Sequence, residues 1–274
     1  MKCPFQPFKL TVAVVFTLLS AASSPLGLTA QAKTAGSLQF RMPAPPSRGI
    51  PTGRYRGGAS RGVCPKTNPE LTALVPFKEE TLIRAIGPET IARVWGLTSA
   101  SHPTFWFYMP YDNRLGFPVE FALQDEDGND VYRTGVDLPT KPGIVRVTLP
   151  STVPALEAGQ VYHWYFKVYC AQKQQGVPIQ VEGVVLRITP DRALQKQIES
   201  ATPLQKVALY AENHLWYDTV TTLADLRSAK PEDPALMADW HSLLKSIQLS
   251  DVADAPLTEC CKALQTADIK GRRR

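Results

Sequence analysis

The sequence predicts an α+β protein: an immunoglobulin-like antiparallel β-sandwich followed by a small α-helical module, a tetratricopeptide-like hairpin plus one helix. Three observations carry this expectation. Between residues 71 and 188, seven short runs are apolar or alternate apolar with polar side chains, and turn signals separate them, which is the pattern of a Greek-key sandwich. Leu156-Glu157-Ala158-Gly159-Gln160-Val161-Tyr162 reads Leu-x-x-Gly-x-x-Tyr, the form of a tyrosine corner, in which the Tyr hydroxyl bonds back to the connection before its strand. After Pro190 the apolar residues recur every three or four positions, the period of a helix.

The first element is an export signal over residues 1–32. Lys2 and Lys9 form a basic start, Leu10–Leu19 an apolar run too short to span a bilayer with ease, and Ala30-Gln31-Ala32 a small-residue cleavage site. No later stretch is apolar enough to cross a membrane, so the expected location is periplasmic or extracellular. Residues 33–69 read as a basic Pro/Gly-rich linker with no acidic residue up to Val63, too poor in apolar groups to order itself. A solvated spacer in weak contact with anionic surfaces is expected; the Arg-Gly pairs at 56–57 and 61–62 do not amount to a nucleic-acid site in an exported chain.

The sandwich is expected over residues 70–189. Leu71–Val75 opens it as a short apolar strand. Glu79–Trp95 admits helix or strand; Pro88-Glu89-Thr90-Ile91-Ala92-Arg93-Val94 fits one or two helical turns with Pro at the first position. In Pro103–Tyr111, five of nine residues are aromatic. Rings on both faces of an extended segment require cover on both sides. Val119–Gln124 and Val131–Thr134 flank Asp125-Glu126-Asp127-Gly128-Asn129-Asp130. The Asp-Gly step there favours a turn, and the ligand spacing of an EF-hand is missing. Ile144–Leu149 alternates, Val161–Cys170 follows the tyrosine corner, and Ile179–Ile188 is the last strand. On the sixth strand Tyr162, Trp164 and Phe166 share one face, which leaves His163 and Tyr165 on the other.

The helical module is expected over residues 190–266 and a basic tail over 267–274. Leu204, Val207, Ala208, Ala211 and Leu215 line one helix, Val220, Leu223 and Leu226 a second, and Leu236, Trp240, Leu243, Leu244 and Ile247 a third that starts at Asp233-Pro234. Tyr210, Thr219, Leu223 and Pro231 sit at tetratricopeptide spacings; a single unit needs a partner surface. Trp216, Tyr217 and Trp240 are large for three helices, so at least one is expected to pack on the sandwich.

Export leaves Cys64, Cys170, Cys260 and Cys261 in an oxidising compartment, with three pairings open. If all strands alternate in direction, Cys64 before the first and Cys170 after the sixth lie at one end of the sandwich. Cys64–Cys170 is then the preferred bond, with Cys260 and Cys261 free or redox-labile. The alternative joins each of the two to one of the C-terminal pair.

Pro103-Thr104-Phe105-Trp106-Phe107-Tyr108, Glu120-Phe121 with Leu123-Gln124-Asp125, Tyr162-His163-Trp164-Tyr165-Phe166, Val181-Glu182-Gly183 and Leu215-Trp216-Tyr217-Asp218 occur in this order. Together they resemble the exported cyanobacterial family catalogued as domain of unknown function 928, over about Leu71 to Cys261. The resemblance implies an extracytoplasmic protein and carries no catalytic residue with it.

The sequence holds no His-Glu-x-x-His, Cys-x-x-Cys or phosphate loop, and no Gly-x-Ser-x-Gly elbow between a strand and a helix, since those letters occur only at 58–62 in the basic Pro/Gly-rich stretch. His102, His163, His214 and His241 lack ligand spacing, and His214 with Asp218 reads as an inter-helix turn and a helix first turn. No catalytic residue, cofactor or metal is assigned. The expected function is non-enzymatic binding of another envelope or secreted protein. Trp106, Tyr165, Trp216 and Tyr217 are candidate interaction aromatics. Alternatives are a carbohydrate-binding module using exposed rings and, behind it, a hydrolase.

Overall fold

Among the described residues ten strands come first and four α-helices follow. The computed structural model describes residues 37–45, 52–57, 64–85, 87–171 and 176–258. The leader, the pair Cys260 and Cys261, and the basic tail lie outside the described residues. The strands are β1 (Thr52–Gly53), β2 (Thr72–Ala73), β3 (Phe77–Arg84), β4 (Gly87–Thr98), β5 (Thr104–Met109), β6 (Val119–Gln124), β7 (Asp130–Val136), β8 (Gly143–Thr148), β9 (Val161–Val168) and β10 (Ile179–Arg187). The helices are α1 (Arg192–Ser200), α2 (Pro203–Glu212), α3 (Trp216–Ala229) and α4 (Pro234–Ser246). One open sheet runs β1-β4-β10-β9-β6-β7 with β3 on β4, and a second runs β2-β5-β8.

The aromatic strand β5 holds these layers together. Its alternation sends Phe105 and Phe107 toward the large sheet, where Phe107 stacks on Phe166 at 4.1 Å and Phe105 meets Phe121 at 4.9 Å between ring centres. Trp106 points the other way, and its indole N–H donates to Thr221 Oγ1 of α3 at 3.0 Å. Both faces are therefore covered. The tyrosine-corner bond is present: the Tyr162 hydroxyl accepts from the Glu157 N–H at 2.9 Å.

One expectation along these strands needs correction. Residues 79–95 form no helical turn; they build the β3–β4 hairpin in continuous register from Phe77↔Val94 to Arg84↔Gly87. Gly87 takes a φ of 119°, open to glycine but strained for other residues. The β-branched Thr90, Ile91 and Val94 then suit the pleat better than a helix. The seven expected strands pair antiparallel wherever they meet, and the added β4 differs: it runs parallel to β10 from Val184↔Trp95 to Arg187↔Thr98. The hairpin adds to the sheet beyond its expected edge, and its second arm arrives in the direction of β10.

Helices and sheets share one core. Trp216, Tyr217 and Trp240 are all buried. The Trp216 indole N–H donates to the Leu74 carbonyl at 2.9 Å, and the Trp164 indole N–H donates to the Tyr217 hydroxyl at 2.8 Å. A Cβ at Gly96 would lie 2.9 Å from Tyr217 Cε2, so β4 has no room for a side chain where α3 docks. Asp218 in the first turn of α3 accepts from the Ser99 N–H at 3.0 Å and from the Ser99 hydroxyl. Asp233 caps α4 as expected. The helix α1 carries no buried residue, and so no apolar stripe announced it.

The described part of the supposed linker is ordered, which corrects the solvated-spacer expectation there. Leu38 and Phe40 are buried, and the Phe40 N–H donates to Ser246 Oγ at 3.0 Å. Enough apolar surface sits in this short stretch to dock on the helices, although the stretch as a whole is polar.

Cys64 and Cys170 form a disulfide, with Cα atoms 5.0 Å apart and a sequence separation of 106. Replacing both with serine should lower stability by about 2–4 kcal/mol, as loop closure in the unfolded chain is released. Urea unfolding with and without reductant measures it, and reductant should leave the double variant unaffected.

Burial holds the Asp218 carboxyl above the usual carboxylate range, with the Ser99 donors opposing. A raised carboxyl is bound to its proton more tightly in the folded state. Its contribution is therefore full below the unfolded value, about 3.9, and is lost as pH rises through the folded value. Asp218→Asn should gain stability relative to wild type as pH rises through that window. Asp218→Ala should lose about 1–3 kcal/mol below that window, because the Ser99 donors lose their acceptor, and the loss should shrink as pH rises through it. Parallel profiles for wild type and Asp218→Asn in thermal melts from pH 3 to 8 would overturn the assignment.

A polar cleft beside β1

Strands β4 and β10 touch only over their C-terminal halves and then splay. The chain from Thr52 to Gly57 is wedged into the gap. Gly53 pairs with Ala92 of β4. Arg54 exchanges both main-chain bonds with Glu182 of β10, at 2.9 and 2.8 Å. The Tyr55 carbonyl accepts from Ala73, and the Gly57 N–H donates to Leu71, so the same six residues reach β2 of the other sheet. Glycine is required at 53, since a Cβ would sit 2.9 Å from both the Glu182 carbonyl and Val94 Cβ.

This wedge forms one wall of an open cleft of about 490 Å³, with the β3–β4 hairpin opposite and Glu182 at its floor. Tyr55 stacks on Phe77, ring centres 3.5 Å apart, and its hydroxyl donates to Glu79 at 3.0 Å. Burial first, then Glu79, pushes the Tyr55 hydroxyl above its usual value. Arg56 forks onto Asp251 with bonds of 2.8 and 2.9 Å, which holds the Asp251 carboxyl below the usual range. Arg84 pairs with Glu89 at 2.5 Å. Arg54, Glu70 and Glu182 line the cleft without an ion pair among the described residues.

The cleft continues onto the outer face of the large sheet. Glu182 stands beside Tyr165 in the ladder, and Gln124 beside His163. Lys167 lies over the Tyr165 ring at 5.2 Å, while Arg133 bonds Glu120 and Asp130. Burial holds the His163 imidazole below its usual value against the pull of Glu126 and Glu182. His163 is thus on the strand face opposite the core, as its position between Tyr162 and Trp164 implied.

Of the candidate interaction aromatics, Tyr165 alone is part-exposed. Trp106, Trp216 and Tyr217 are buried between layers, so their contacts lie within the protein and they offer no ring to a ligand. This corrects the surface role. Asp125 spends its carboxylate on the turn, accepting from Asp127 and twice from Asn129. Among the described residues no group of three or more His, Cys, Asp or Glu is placed to hold a metal. His214 and Asp218 bond different partners, the Arg41 carbonyl and Ser99.

Residues 56–257 match the family described as Domain of Unknown Function (DUF928). The chain belongs to this family. No curated protein matches it. The DUF928 match starts at Arg56, inside the wedge, and ends at Leu257, which bridges to Ile144 at the edge of β8. It thus spans β2 to β10 and all four α-helices, and leaves β1 outside. The cleft residues Arg54, Tyr55, Glu70 and Glu182 escaped the sequence reading. For Arg54 and Tyr55 the one signal was Gly53-Arg54-Tyr55-Arg56-Gly57, a period-two run inside the basic stretch; Glu70 and Glu182 had none.

Across the splay, Gly183 is as constrained as Gly53: a Cβ there would lie 2.6 Å from Trp164 Cζ2 and 2.8 Å from Val94 Cγ1. Gly183→Ala should cost about 1–3 kcal/mol through overpacking. Denaturant melts of wild type and Gly183→Ala check it.

Proposed function

We propose that the chain is an exported, non-enzymatic protein of the envelope or secreted fraction that binds another protein through the cleft beside β1. The observation that carries this reading is the character of the cleft. Its charged groups are spread along its lining without converging on one point, and an exposed apolar residue, Ile83, stands near the hairpin tip with 85% of its surface free. Spread charge with an apolar neighbour suits a polypeptide surface. Acid–base chemistry would instead need groups converging within hydrogen-bond reach of one reacting atom. The leader-like residues 1–32 support export, and so does the Cys64–Cys170 bond, which suits an oxidising compartment. No helix among the described residues is long and apolar enough to cross a membrane.

The finer fold reading draws support from the strand order. β2-β5-β8 against β7-β6-β9-β10 follows the order of a seven-stranded immunoglobulin-like sandwich, with Tyr162 at the corner before β9. The hairpin and β1 are additions to that plan. α2 packed along α3, with Thr219 and Leu223 buried, fits a tetratricopeptide-like pair whose partner surface is the sandwich. The carbohydrate reading is weaker, because Trp106 is buried and Lys167 covers Tyr165.

Tagged protein incubated with envelope extract of the source cell should retain one protein in stoichiometric amount. The double reversal Arg54→Glu, Glu182→Lys should lose it with an unchanged melting temperature. Retention of a glycan instead, abolished by Tyr165→Ala, would overturn the proposal.

A further inference from the structure

The β3–β4 register fixes which main-chain groups of β4 face the cleft. Arg84 pairs with Gly87, so two residues separate the arms. In a two-residue hairpin the closing pair exchanges its hydrogen bonds, and bonded pairs then alternate with non-bonded ones. Gly87, Glu89, Ile91 and Arg93 therefore bond to β3. Two facts agree with this phase: the Trp95 N–H donates to the Pro76 carbonyl at the next bonded position, and Pro88, which has no N–H, falls in the other set. Residues 88, 90 and 92 point away from β3. Ala92 is met by Gly53. One residue further, the chain leaves β4 for Glu182 and β2. The N–H and C=O of Thr90 and the C=O of Pro88 thus face the cleft, with no strand beside them among the described residues.

Unmet main-chain groups along a strand, in a cavity about 490 Å³ in volume, form a template for one more strand. The cleft's charges select which strand fits. Arg56 is held by Asp251 and Arg84 by Glu89, whereas Glu70, Glu79 and Glu182 line the cleft with no ion pair among the described residues, as does Arg54. Three carboxylates against one guanidinium favour a cationic occupant.

We propose that the cleft takes an extended, basic segment of a partner protein, added as a strand to the edge of β4 at Thr90. This rests on the binding-protein reading above and names its chemistry. Main-chain bonds to Thr90 and Pro88 supply affinity and fix the direction of the segment. Glu182 and Glu70 select lysine or arginine at alternate positions, which share one face of a strand.

The test uses the purified protein and a capped heptapeptide of alternating lysine and valine, followed by fluorescence anisotropy. Saturable binding is expected. Thr90→Pro removes only the cleft-facing donor and leaves the β3 ladder intact, so it should melt like wild type and bind about tenfold more weakly. The same peptide N-methylated at alternate residues should lose affinity to a similar degree, and it carries the test if Thr90→Pro does not fold. Glu70→Gln with Glu182→Gln should weaken binding and flatten its salt dependence. Equal affinity for a glutamate–valine peptide overturns the proposal. So does unchanged affinity in Thr90→Pro together with the methylated peptide. Dimerisation lost in Thr90→Pro without peptide binding overturns it in favour of a second copy as occupant. A partner from extract retained equally by wild type and Thr90→Pro, with no peptide binding, overturns strand addition while the binding-protein reading stands.

Discussion

Strand β5 carries rings on both faces, and neither face can be left to water. Phe105 and Phe107 face the large sheet, while Trp106 is turned toward α3. Each fully buried ring of this size contributes about 1.5–3 kcal/mol of transfer free energy. The small sheet is therefore covered on both faces. Helices α2, α3 and α4 share its core, and α3 packs on β4 of the large sheet as well as on β5. Tyr217 shows how closely the layers are tied. One hydroxyl accepts from Trp164 in the large sheet while its ring packs on Phe105 in the small one. Its burial pushes the phenol far above its usual value, so it stays a neutral donor and acceptor.

A second constraint is the splay of β4 from β10. Strands that separate expose main-chain groups on both edges, and those groups need partners. The residues from Thr52 to Gly57 meet part of that need on three strands in turn, and Arg56 ties them to Asp251 behind the helices. They stop short of Thr90. The cleft is what remains of the splay where no described strand follows, which is why it is polar, open and lined by main chain.

Much of the fold was legible because its signals are local. The seven expected strands were visible from period-two patterns and turns, and the helices α2, α3 and α4 from the 3–4 period and from Asp233-Pro234. The corner at Tyr162 has a spacing of its own. The misread elements had competing local signals. Pro88 before Glu89 looks like a helix start, and only Gly87 at positive φ, with β3 alongside, makes it a strand. The wedge resembled a spacer because its arginines are charged; their partners Glu182 and Asp251 lie more than a hundred residues away.

The sequence by itself determined the layers: which segments extend, which coil, and that the aromatic strand needed two covers. Those follow from side-chain periodicity and volume, which are properties of neighbours along the chain. Tertiary structure alone decided the parallel meeting of β4 with β10, the burial of Trp106 and Trp216, and the cleft at Glu182. Each depends on which distant groups come to share a desolvated volume or a hydrogen-bond ladder, and no local pattern encodes the partner that arrives from the far end of the chain.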